Sequence, residues 1–248
     1  MNVRNLRLEG VSMERRDFLR LSAASTGAAA LAPLGTPDAA AAQRRSGLLR
    51  VQILVFDGVE EQDVIGPVAV LGHAGHQGGQ VEVTLVKPGA PGEVIGTFGT
   101  RFAVSATWDP ASGDILIVPG GGYGMKDGPG VHALIKDKAL LRDLGRAHRS
   151  GVLVAGVCTG VMVLSAAGLT KGRPCTTHHL AKADLAAQQA QVIDARVVDD
   201  GDLVTSAGVT SGLDLALWLV TRELGPAVAV GAEAVLEYEQ RGAVWRRL

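Results

Sequence analysis

From Leu48 onward, short apolar runs of strand character alternate with segments of helical spacing, the pattern of βαβ units around a mainly parallel sheet. Residues 51–56, 81–86, 114–118 and 152–155 read as buried strands. Helical spacing is expected from near Gln62, over 131–148, directly after Cys158, and over 181–191, 213–224 and 226–240. In the first of these helices Pro67 fits only the first turn, because a proline further in removes a donor and crowds the turn before it. Residues 94–104 read as a hairpin around Thr97-Phe98-Gly99-Thr100, residues 192–198 and 203–206 as another around Asp200-Gly201, and Thr176 with Thr177 as a short strand. No repeat and no shift in composition follows Ala42, so one domain is expected over 43–248.

With 47% of 248 residues hydrophobic and 20% charged, the chain has the composition of a packed globular domain. Twenty-four Lys and Arg against 25 Asp and Glu give a formal net charge of −1, which excludes a strong field for nucleic acid or an anionic membrane. Aromatics at 4% leave no stacking platform for bases. Two cysteines, Cys158 and Cys175, are too few for a disulfide scaffold or a four-cysteine zinc site.

The amino terminus has a different character. Arg15 and Arg16 precede Asp17-Phe18-Leu19, and a mostly Ala, Leu, Ser and Gly stretch runs to Leu34, the pattern of a twin-arginine export signal. Small residues at 39–42 suit a signal peptidase, and the apolar run is shorter than the ~20 residues that span a bilayer. The expectation is a signal over residues 1–42, a true start at Met1 or Met13, and a mature protein in the periplasm or outside the cell, with no stable membrane insertion. An uncleaved anchor or an Ala-rich extension is the alternative.

Chemistry is concentrated at three turns. In Gly156-Val157-Cys158-Thr159-Gly160 a cysteine lies between two glycines where a strand meets a helix, the shape of a nucleophile elbow. A helix amino terminus beyond the sulfur is expected to lower the thiol pKa; a buried structural cysteine is the plain alternative. Pro119-Gly120-Gly121-Gly122, at the end of a core strand, allows backbone N–H groups to approach a ligand, with the N–H of Thr159 as a second donor. No Gly-Lys-Ser/Thr follows it, so it is no phosphate loop. Glu60, Glu61 and Asp63 follow the first strand. An acid beside the sulfur is driven towards its protonated form and can move a proton near neutral pH, whereas Glu60 and Glu61 fit a solvated helix start. Cys175, His178 and His179 cannot gather one metal from opposite faces of an extended segment, so no metal or other cofactor is expected. Thr210, Ser211 and Asp214 read as a helix cap.

These motifs, with Gly66-Pro67, Thr176-Thr177-His178 and Ala207-Gly208 through Gly212 and Asp214, resemble the PfpI superfamily of class I glutamine-amidotransferase-like proteins over about residues 48–239. The chain is similar in particular to the isonitrile hydratase branch and to sensor domains of AraC-type regulators, in which an aspartate precedes Gly-Pro and threonine follows the cysteine. The resemblance implies a flavodoxin-like, single-domain three-layer α/β sandwich and a homodimer. It further implies attack by Cys158 on an isonitrile carbon, proton and water handling by Asp63, and support from Thr159. Protease-like members carry histidine where Thr159 stands, and deglycase and chaperone members carry glutamate where Asp63 stands. The resemblance places His178 near the cysteine, and His179 replaces the aromatic residue of the hydratases.

The expected function is hydration of a small C–N multiple bond, isonitrile to N-substituted formamide. Cys158, Asp63 and Thr159 are the catalytic residues, and Gly121, Gly122 and His178 contact a small-molecule substrate. The rival is a ligand-binding or redox-responsive stress protein of the same fold, or a deglycase-like enzyme. The few residues after Gln240 leave no room for the DNA-binding helices of a regulator, and a Cys158–Cys175 disulfide is disfavoured because a nucleophile must stay free.

Overall fold

The computed structural model describes residues 47–247; the expected signal segment and cleavage site lie outside the described residues. Twelve strands are described: β1 (Leu49–Leu54), β2 (Val81–Lys87), β3 (Gly92–Ile95), β4 (Arg101–Val104), β5 (Ala106–Thr107), β6 (Ile115–Val118), β7 (Leu153–Gly156), β8 (Pro174–Cys175), β9 (Gln191–Val192), β10 (Val197–Asp199), β11 (Leu203–Ser206) and β12 (Trp245–Arg246). Eight of them form one sheet in the order β12-β10-β11-β7-β6-β1-β2-β5, parallel except for the β10–β11 pair. Of its central strands, β6 (Ile115–Val118) is apolar on both faces, and β7 and β11 are buried along their whole length because both faces of the sheet are covered there, whereas β1 exposes Arg50.

Helices α1 (Glu61–His76), α6 (Ser211–Glu223) and α7 (Pro226–Leu236) pack together on one face; α2 (Val131–Lys136), α3 (Lys138–Arg149) and α4 (Gly160–Ala166) pack together on the other, and α5 (Lys182–Ala187) follows β8. The mainly parallel sheet is the one that the alternating pattern predicts, and its helices on both faces make the three-layer α/β sandwich that the resemblance implies. A continuous core runs from Leu49 to Ala232, and a small satellite holds Val161, Met162, Cys175, Ala181 and Leu185.

Several boundaries differ from the sequence reading, each for a local reason. The expected helix over 131–148 is two helices, because Asp137 turns extended and its carboxylate caps α3 at the N–H groups of Ala139 and Leu140. The short strand falls at Pro174–Cys175 instead of Thr176–Thr177, since Thr177 gives its hydroxyl to the carbonyl of Cys158 at 2.7 Å. The helix expected over 181–191 stops at Ala187, and the last helix stops at Leu236, where Glu237 turns left-handed. Pro67 lies well inside α1, not in its first turn. Its ring faces α6, where a Cβ built on Gly212 would stand 3.5 Å from it, and Gly66 likewise faces Leu213 at 3.5 Å. The lost helical donor is offset by close packing of α1 on α6.

One glycine fixes how β7 leaves the sheet. A Cβ on Gly160 would stand 2.1 Å from the carbonyl oxygen of Val118 and 2.4 Å from that of Pro119, backbone atoms at the end of β6. Neither atom can yield without moving the strand end. Gly160→Ala is expected to lower stability by about 3 kcal/mol or more, an overpacking cost at the upper end of its range. Gly124→Ala, which meets nothing within 4 Å, should change it by less than about 0.5 kcal/mol. Urea midpoints measure both, and equal effects would contradict the placement of Gly160.

Candidate active site

The carboxyl ends of β1, β6, β7 and β11 converge on Cys158. Cys158 leaves β7 with φ +54, a left-handed conformation that only a tightly held non-glycine residue keeps. Its N–H donates to the carbonyl of Ala207 at 3.1 Å, and its carbonyl accepts from the Thr177 hydroxyl at 2.7 Å. The segments after β11 and β8 therefore pin the elbow from both sides, and its side chain is buried among them. The N–H groups of Val209 and Thr159 and the Thr159 hydroxyl lie on the side of the sulfur and favour its thiolate, and the sulfur faces Asp63.

Asp63 enters from the first turn of α1 and is wholly buried. Its Oδ2 accepts from the N–H of Gly120 at 2.8 Å, while Oδ1 has no hydrogen-bond partner. Gly120 fits between the two site residues: a Cβ there would lie 2.5 Å from Thr159 Oγ1 and 3.0 Å from Asp63 Oδ2. The Gly121 N–H donates to Thr159 Oγ1 at 3.2 Å, so its path to a bound substrate runs through that hydroxyl. Gly121 and Gly122 both have positive φ and lie against Gly58 and Pro129 respectively. His178 packs its ring on Gly208 and on His179, with ring centroids 4.3 Å apart. Its Nδ1 accepts from the N–H of Leu180 at 3.3 Å, which leaves Nε2 to carry the proton of the neutral ring. Burial and the neighbouring His179 lower its pKa, and no hydrogen bond joins it to Cys158 among the described residues.

Electrostatics reverse one expectation. Burial first, and then the Asp63 charge, push the Cys158 thiol up to about 12, although three donors beside the sulfur favour the thiolate. The helix beyond the elbow has only seven residues, and its dipole does not outweigh the carboxylate. Burial, assisted by Glu60, raises Asp63 to about 7 against the opposing Gly120 and Cys158 hydrogen bonds. The pair thus holds two protons in acid and shares one above neutrality, as coupled groups do.

Other acids have different duties from those expected. Glu61 is buried, not solvated: its Oε1 accepts from the N–H groups of Phe98 at 2.7 Å and Thr100 at 3.3 Å and ties the β3–β4 hairpin to the site. Asp214 is no cap but a buried acceptor for Arg196, Tyr238 and the Arg241 N–H, and Thr210 makes no side-chain cap bond. Cys158 and Cys175 are both free thiols. Cys175 is sealed in the satellite cluster, and no metal-binding group of three or more His, Cys, Asp or Glu occurs among the described residues. No helix among them is long and apolar enough to cross a membrane. Sequence reasoning missed Val209, since nothing in its surroundings announces a valine at φ +25 with its N–H beside the sulfur.

A mainly parallel α/β sandwich with a buried cysteine on a left-handed strand-to-helix elbow and an acid at its side defines a class of α/β protein built around a cysteine elbow. The chain belongs to the DJ-1/PfpI family, whose sequence profile matches residues 49–222. It is 33% identical over 192 residues to an isonitrile hydratase of Pseudomonas putida, covering 77% of this chain and 78% of that one. A deglycase of Thermococcus kodakarensis is 30% identical over 64% of this chain and 89% of its own. Among solved structures, a ThiJ/PfpI family protein of Pseudomonas syringae superposes with TM-score 0.68 at 27% identity, covering 85% of this chain and 84% of that one.

The Asp63 shift has a consequence for stability. Its folded pKa stands above its ordinary 3.8, so the folded state binds more protons than the unfolded one between pH 4 and pH 7. This group's contribution to stability therefore falls as pH rises through that window and is constant above it. Asp63→Asn removes the effect. Urea unfolding of both proteins from pH 4 to pH 8 should show the wild type losing stability relative to the variant up to about pH 7; parallel curves would mean that Asp63 titrates normally.

Proposed function

We propose that the protein is a cysteine-dependent hydratase of a small C–N multiple bond, converting an isonitrile and water into an N-substituted formamide. The observation that carries this reading is the buried contact between the Cys158 sulfur and Asp63, whose Oδ1 has no partner within the protein. The likeness to the Pseudomonas putida isonitrile hydratase supports it. As the sulfur adds to the terminal isonitrile carbon, the S–H proton passes through Asp63 to that carbon, giving a thioimidate. Asp63 then takes a proton from the water that adds to the same carbon and passes it to nitrogen; the adduct expels the sulfur, which regains its proton from the new hydroxyl through Asp63, releasing the formamide and restoring the thiol. Thr159, with Gly121 and Gly122 behind it, orients the intermediate, and His178 lines the substrate side.

The deglycase likeness favours a second reading, action on a glyoxal-derived adduct through the same sulfur. A panel of isonitriles, glyoxals and peptides separates the two. Formamide release from an isonitrile is expected, abolished in Cys158→Ala and reduced about 10²–10⁴-fold in Asp63→Asn, the usual worth of general acid–base help. Turnover of glyoxals alone would install the second reading, and full activity in Cys158→Ala would remove both.

Export by the twin-arginine route and assembly as a two-fold homodimer complete the proposal, supported respectively by Arg15 and Arg16 ahead of the Ala-rich run and by the family resemblance. Replacing both arginines with lysine is expected to hold the chain inside the cell at full length. Wild-type protein found only with cytoplasmic markers would overturn export, and a monomer mass by light scattering would overturn the dimer.

A further inference from the structure

Val209 is the second strained residue at the sulfur. At φ +25 a β-branched side chain is crowded against its own backbone, and such a conformation persists only where the surroundings impose it. Arg196 meets both ends of the loop that carries Val209. The carbonyl of Arg196 accepts from the N–H of Ala207 at 2.9 Å, which holds the start of the 207–210 loop. Its guanidinium reaches the other end, where Nη2 donates to Thr210 Oγ1 at 3.3 Å. Thr210 stands at the amino end of α6, where a threonine hydroxyl ordinarily accepts from a helical N–H, yet it makes no such bond. Arg196 itself is fixed, because its Nε donates to Asp214 Oδ2 at 2.8 Å. Asp214 is fully buried and anchored further by the Tyr238 hydroxyl at 3.1 Å and the Arg241 N–H at 2.6 Å.

We propose that Arg196 is a positioning residue of the Cys158 site: it clamps both ends of the 207–210 loop, whose Ala207 carbonyl holds the Cys158 N–H at 3.1 Å, and so fixes the backbone donors that surround the sulfur. The idea rests on the nucleophile reading of Cys158, but it is tested on the thiol itself and needs no substrate. A donor aimed at sulfur favours the thiolate, so its loss makes the thiol harder to ionise. The titratable groups near the sulfur are Asp63 and, behind it, Glu60 on the α1 side, with His178 against Gly208 on the other. None of the three contacts the Arg196 guanidinium, whose partners are Asp214 and Thr210.

The experiment is alkylation of Cys158 in the full chain from pH 6 to pH 11, read at that residue by mass spectrometry. Arg196→Lys keeps a positive charge opposite Asp214 but lacks the fork that reaches Thr210 as well. Its profile is expected to move up by about one pH unit, which makes alkylation about tenfold slower at a fixed pH below the midpoint. Thr210→Val removes only the hydroxyl contact and should shift the profile in the same direction, which keeps the test alive if the lysine variant does not fold. Tyr238→Phe takes a donor from Asp214 without touching the loop; it should lower stability and leave the profile in place. Wild-type profiles in folded Arg196→Lys and Thr210→Val, or an equal shift in Tyr238→Phe, would overturn the clamp while leaving Cys158 reactive. A wild-type Cys158 that reacts no faster than Cys175 would overturn the nucleophile reading as well.

Discussion

The close passage of Gly160 over the carbonyls of Val118 and Pro119 sets the geometry of the whole site. Two parallel strands, β6 and β7, end side by side, and the chain leaving one must cross the end of the other without a side chain at the crossing. The crossing forces the left-handed turn at Cys158, presents Thr159 to Gly120 and Gly121, and puts the sulfur where the first turn of α1 arrives with Asp63. The sheet supplies the platform, and this single contact supplies the direction.

Much of this was legible because parallel sheets announce themselves. Runs such as Ile115–Val118 are apolar on both faces, and the turns that follow are rich in glycine, so strand ends and the residues gathered there could be read in order. The errors cluster where tertiary contacts override local pattern. Pro67 is tolerated inside α1 because α6 packs on its ring, Glu61 is buried because a distant hairpin offers two N–H groups, and Asp214 is taken by Arg196. Each partner lies at least 18 residues away, beyond the reach of any helical or strand period. Val209 is a harder case, since no local pattern announces a valine at φ +25.

The thiol teaches a related lesson about magnitudes. A helix start beside a cysteine argues for an acidic thiol, but here the helix has only seven residues and the sulfur shares a dry space with a carboxyl group. In such a space, repulsion between two like charges and the loss of hydration outweigh a few partial charges on amides. Above neutrality the pair then keeps one proton between sulfur and carboxyl in place of a free thiolate.

The seam between α1 and α6 bears on how such a site could diverge. Gly66 and Pro67 meet Leu213 and Gly212 there, and Asp63 stands one turn before that contact. The seam therefore acts as a spacer between acid and sulfur. A larger side chain at Gly66 or Gly212 would lever the start of α1 outward and lengthen that gap while leaving every reacting group unchanged. The reach of the acid at position 63 is therefore coupled to seam residues that never touch the sulfur.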